Sequence, residues 1–149
     1  MSHPKFTPDQ FRVLFDWPVQ WGDQDLFGHV NNTVYFRWFE SARVDYLHRL
    51  GMARLHGDEA LGPILAHIGC NFRRQLQYPD TVRIGTHITH IGRTSMTIEQ
   101  ALWSTAQNLA LAADVTSTIV LFDYNPQKPI HVPENIRRQI EELEGRKLA

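Results

Sequence analysis

Four long runs between residues 64 and 122 alternate apolar and polar side chains, and that alternation leaves few folds open. Ile64–Gln77 is the first run, and Tyr78-Pro79-Asp80 punctuates its end. Val82, Ile84 and Ile88 lie at even spacing in the second, which Gly92 closes. Met96, Ile98 and Leu102 alternate with Thr97, Glu99 and Trp103 in the third. After a turn at Ala106–Asn108, the residues Leu111, Ala113, Val115, Ile119 and Leu121 line up in the fourth. Period two over such lengths predicts antiparallel strands, with one face solvated or kept for an interface. A sheet of this kind needs something to cover its apolar face.

The cover is legible upstream. From Asn32 to Leu50, Tyr35, Trp38/Phe39, Ala42, Tyr46 and Leu50 recur every three to four residues. This is one helix face, about five turns long at 3.6 residues per turn. Arg37, Glu40, Arg43 and His48 fall largely off that face, and Glu40 can pair with Arg43. Asn31 or Asn32 suits the N-cap and Gly51 the C-cap. Before the helix, Phe11–Trp21 reads as a first strand that Pro18 demotes to an edge or a bend. Residues 1–10 read as a loose arm, 51–62 and Asp123–Pro129 as loops. Residues 133–145 read as a C-terminal helix begun by Pro133, with Ile136, Ile140 and Leu143 on one face. The whole, 1–149, is one α+β domain in which a long helix and an antiparallel sheet bury each other's faces. Open sheet edges invite a second copy to pair there.

Composition removes several function classes. With 15 basic and 16 acidic residues, the chain has no surplus for a dedicated nucleic-acid surface. No run approaches the roughly 18 apolar residues that span a bilayer, and the N-terminus lacks the order of a secretory signal. The single cysteine, Cys70, cannot form an internal disulfide, so a reducing, cytoplasmic setting is expected. No Cys/His cluster has zinc spacing, and on a regular strand His87 and His90 would point to opposite faces, so no metal is expected. Walker, GxGxxG and GxSxG patterns are absent.

The polar chemistry gathers at the junction before the helix, in WGDQDLFGHVNN (residues 21–32). Asp25 is either a solvated loop acid or a carboxylate held at the favourable end of the helix dipole. Asp23 is read as a turn residue that accepts a backbone N–H. Gly28 permits a positive φ and a close approach to the backbone. His29 is either a packed loop residue, the commoner case for a lone histidine, or an acid or donor toward a carbonyl. Asn31 and Asn32 are caps, but the unpaired N–H groups of the helix start can also stabilise an oxyanion. Arg73 and Arg74 are either a phosphate patch or, more simply, solvated strand residues.

Residues 21–43, WGDQDLFGHVNNTVYFRWFESAR, resemble the opening of the hotdog-fold acyl-CoA thioesterases of the 4-hydroxybenzoyl-CoA thioesterase type. Asp23, Asp25, Gly28, Tyr35, Glu40 and Arg43 match its pattern, and residues 78–102 resemble its paired strands. The resemblance covers roughly residues 11–123. It implies a curved antiparallel sheet wrapped around one long helix, in homodimers or homotetramers with active sites at the subunit interface. It implies acyl-CoA hydrolysis without a cofactor, with Asp25 as nucleophile or general base and an amide near Asn32 polarising the carbonyl. His29 joins them as a catalytic position, and Gly28, Asn31, Tyr35 and Glu40 as substrate-binding ones. His29-Val30-Asn31-Asn32 stands where that type has bulkier apolar and aromatic residues, and is nearer to the wider group that includes acyl-ACP thioesterases. An acyl-ACP substrate and a non-catalytic acyl-CoA binding module on the same fold are therefore the competing expectations.

Overall fold

The structure, a computed structural model, describes residues 6–52, 61–124 and 127–148. Strand β1 is Val13–Pro18, helix α1 is Asn32–Arg49, and strands β2 to β5 are Leu61–Phe72, Thr81–Ile91, Ser95–Ser104 and Ala110–Asp123. A two-residue strand, β6 (Lys128–Pro129), pairs with the end of β5 inside the expected loop, and helix α2 (Glu134–Glu144) follows. The sheet order is β1-β3-β4-β5-β2, antiparallel throughout. The chain thus leaves one sheet edge after β1 and re-enters at the opposite edge with β2. The intervening α1 lies over the central strands. Of the expected loop 51–62, residues 53–60 lie outside the described residues.

Side-chain periodicity explains the packing. The N-terminal half of α1 sets Tyr35, Trp38, Phe39 and Ala42 against Val82, Ile84, Leu102 and Val115 of the sheet. Its C-terminal half sets Tyr46, Leu47 and Leu50 against Ile88, Ile98 and Ile119, and α2 adds Ile140 to that cluster. Burying each such side chain contributes about 1.5–3 kcal/mol. The buried Tyr46 hydroxyl donates to Glu144, which joins the two helices. Asn31 is the N-cap of α1, its side chain accepting from the Thr33 N–H. Gly51, just beyond the helix, takes a φ of 71° that suits a residue without Cβ.

Three expectations change. His87 and His90 share one face, because a bulge between Ile88 and His90 inserts an extra residue; they face Glu99 and Thr97, which lie two residues apart. Arg43 is buried rather than off the packed face: it flanks Ala42 and lies one turn before Leu47. Burial lowers its pKa, and nearby Glu40 opposes that shift. The N-terminal arm is packed from Phe6 onward: Phe6 and Phe11 bury themselves with Trp103 on the sheet's other face, and the Trp103 indole N–H donates to the Phe6 carbonyl at 3.2 Å. A Cβ at Gly85 would stand 2.5 Å from the Phe11 ring, so this strand glycine makes room for an aromatic lid.

Candidate active site

The chain between β1 and α1 is folded back on itself by its own polar groups. Asp23 ends a 3₁₀ turn (Trp21–Asp23), and its carboxylate accepts the Gln20 N–H at 2.7 Å, the backbone role expected of it. Gln24 and Val30 then form an isolated antiparallel bridge that closes a tight loop. Within it the Asp25 N–H donates to the His29 carbonyl (2.9 Å) and the Gly28 N–H to the Asp25 carbonyl (3.0 Å). Gly28 sits at φ 79°, so glycine is needed for the turn itself.

Asp25 is held by this turn. Its Oδ1 accepts the Phe27 N–H at 2.9 Å, while Oδ2 has no hydrogen-bond partner among the described residues. One oxygen orients the carboxylate and the other is free for chemistry. Two bonds tie the loop to the segment after β2: the Val30 N–H to the Leu76 carbonyl (2.8 Å) and the Tyr78 N–H to Gln24 Oε1 (3.1 Å).

At the helix start, Asn31 Oδ1 takes both the N–H and the hydroxyl of Thr33, at 2.9 and 2.7 Å, and its carbonyl takes the Val34 N–H at 3.0 Å. Asn32 is the first helical residue, and its N–H has no partner among the described residues. It therefore remains available as a donor at the positive end of α1.

These groups share one cleft of about 530 Å³. Asp25, Phe27, His29, Val30, Asn32 and Tyr35 form one side; Phe72, Arg73, Arg74 and Gln75 form the other. So Asp25, His29, Asn32 and Tyr35 come together. Gly28 and Asn31 shape the loop and the cap without lining the cleft, and Glu40 lies exposed on α1 away from it. The Tyr35 hydroxyl donates to the Arg74 carbonyl at 3.1 Å, and burial, with Cys70 adding to it, pushes its pKa up to about 12. Burial, reinforced by Asp114, pushes the Cys70 thiol up to about 11, so at neutral pH it stays protonated and is a poor nucleophile.

The wall from Phe72 to Gln75 was not among the expected site residues. Its only signal in the sequence is the Arg73-Arg74 pair. A larger recess of about 670 Å³ runs along α2, but polar and charged residues such as Asn135, Arg138 and Glu142 line it, without the apolar and aromatic residues that line the Asp25 cleft. Among the described residues, no group of three or more potential metal ligands converges.

A carboxylate, an unpaired helix N–H and an imidazole around one cleft suit attack on a carbonyl whose oxygen becomes negative. Comparison with known proteins points the same way. Residues 19–140 match the model of the thioesterase-like superfamily. The long-chain acyl-CoA thioesterase FadM of Escherichia coli is 24% identical over 119 residues, 80% of this chain and 89% of that protein. The protein YsmA of Bacillus subtilis is 29% identical over 80 residues, 54% of this chain and about half (53%) of its own length. Among solved structures, a thioesterase from Thermus thermophilus complexed with coenzyme A and zinc superposes with a TM-score of 0.80 at 28% identity, covering 94% of this chain and 99% of that one.

Proposed function

The chain belongs to the thioesterase-like superfamily, and from that premise we propose that it hydrolyses an acyl-CoA thioester to the free acid and CoA. The observation that carries the proposal is the shared cleft of Asp25, His29 and Asn32. The free Asp25 oxygen either attacks the thioester carbon, expelling the CoA thiolate and giving a mixed anhydride that water then cleaves back to the carboxylate and the free acid, or removes a proton from water that attacks the carbon as the C–S bond breaks and CoA leaves. In both routes the carbonyl oxygen gains charge and accepts from the Asn32 N–H. A donor of this type stabilises the transition state by about 3–4 kcal/mol. His29 orients the carbonyl or the water, and Tyr35 and Phe72 flank the acyl group.

The same reading takes the fold as a hotdog, its sheet curled around α1, and the working unit as a homodimer or homotetramer in the cytoplasm. Two features support the dimer. Leu26 and Phe27, at the corner of the Asp25 loop, are 101% and 84% exposed. Among the described residues, strand β2, with 12 residues, pairs only with β5. Apolar corners and a long open edge are the surfaces that a second copy covers. Among the described residues, no helix is long and apolar enough to cross a membrane.

A thiol-release assay over a panel of acyl chain lengths on CoA tests the proposal. Turnover on at least one acyl-CoA is expected. Tight acyl-CoA binding with no thiol released would make the chain a binding module, and turnover confined to the same acyl group on carrier protein would move the substrate to acyl-ACP.

A further inference from the structure

The wall facing Asp25 carries two arginines that the chemistry above leaves unused, and they are not equivalent. Arg73 Nε donates to Asp114, whose other oxygen accepts from Asn71 at 3.0 Å. That hydrogen bond and the carboxylate's charge raise the Arg73 pKa, so its cation is already compensated. Arg74 has no carboxylate partner among the described residues. Its guanidinium makes one long contact, Nη1 to Gln107 Oε1 at 3.4 Å.

The Arg74 backbone is nevertheless fixed. The Ala112 carbonyl, at the bulge in the β4–β5 pairing, accepts the N–H of both Arg73 (2.8 Å) and Arg74 (3.1 Å). The Tyr35 hydroxyl holds the Arg74 carbonyl, and Gln107 Nε2 holds that of Gln75 at 3.2 Å. Gln107 belongs to a second cleft of about 380 Å³, walled also by Gln77 and the half-exposed Tyr78. The two clefts share His29 and Gln75. Arg74 thus stands where they meet, an uncompensated cation on a pinned backbone. In a chain of net charge -1 it is not part of a general basic surface.

We propose that Arg74 binds a phosphate of the substrate's carrier arm, the phosphopantetheine chain common to CoA and acyl carrier protein. The identity of the arm rests on the thioesterase reading. A thioester seated at Asp25 with its arm continuing into the second cleft passes Arg74, and a guanidinium grips a phosphate with two parallel charge-assisted hydrogen bonds.

The test is steady-state kinetics with one acyl group carried on CoA, on 4′-phosphopantetheine and on pantetheine, for wild type, R74Q and R74K. R74Q is expected to raise KM for acyl-CoA about tenfold with kcat within about twofold, and R74K to recover most of the loss. Neither should change KM for acyl-pantetheine, which has no phosphate. A matching rise on acyl-phosphopantetheine is expected, since that carrier keeps the phosphate of the shared arm; a rise on acyl-CoA alone would place the contact on a phosphate that only CoA has and overturn the assignment to the arm. An equal rise on acyl-pantetheine, or an unchanged KM on acyl-CoA, overturns the assignment. Calorimetric titration with CoA needs no turnover and should show about tenfold weaker binding to R74Q. Equal CoA affinity would overturn the proposal, whereas loss of binding in a chain that hydrolyses nothing would sink the hydrolase reading and leave Arg74 standing.

Discussion

Asn31 has two jobs that a single substitution separates from chemistry. Its side chain caps α1 through Thr33, next to Asn32, which lines the cleft. Asn31→Ala should lower stability by about 1 kcal/mol, the usual worth of a cap. It should also reduce kcat more than it raises KM, since a frayed helix start weakens the donor only where charge develops. Thermal melts and steady-state kinetics read the two effects apart; a stability loss with unchanged kcat would remove the helix tip from the mechanism. At this scale much was legible. Asp23 does accept a backbone N–H, Asn31 is a cap, and Gly28 needs its positive φ. These are local relations, settled within a few residues. The burial of Arg43 was not legible, and the Arg73-Arg74 pair was legible only as one of two readings, without telling which of the two is already paired, because burial and pairing depend on elements far along the chain.

Among the elements, the bond between α1 and the end of β2 is the most exposed to test. The Tyr35 hydroxyl makes it, to the Arg74 carbonyl. Tyr35→Phe should cost about 1 kcal/mol. It should also change the alkaline limb of stability. The phenol's ordinary pKa of 10.0 rises to about 12 on folding, and the Cys70 thiol's 9.0 rises to about 11. In both cases the folded state keeps a proton that the unfolded chain has released. Their contribution is whole below pH 9 and is lost as pH climbs through 11 to 12. Denaturant titrations from pH 8 to 12 should show a shallower loss in Tyr35→Phe than in wild type above pH 10; parallel curves would contradict the burial account. Helix faces and strand phases were readable at this scale because the periods 3.6 and 2 are written into the chain. The bulge that turns His87 and His90 to one side was not, since the register with β4 makes it. The bulge at Ala112 arises in the same way from the pairing of β4 with β5.

At the scale of the molecule, the open edge of β2 and the exposed apolar corner at Leu26 and Phe27 are what the proposed homodimer rests on. Leu26→Asp, outside the cleft wall, should weaken a homodimer at least about tenfold by setting a charge at its apolar contact. Sedimentation equilibrium should show the shift toward monomer, with activity falling in parallel. A wild-type chain that sediments as a fully active monomer would refute the shared-site arrangement.

The central claim is that one carboxylate performs the chemistry beside a helix tip. Asp25→Asn is its most direct measurement, because the amide oxygen can still accept the Phe27 N–H and keep the loop in shape. Thiol release from the best acyl-CoA of the panel should fall by about a hundredfold or more, with the melting temperature and oligomeric state unchanged. Release at close to the wild-type rate from a correctly folded Asp25→Asn protein would contradict it.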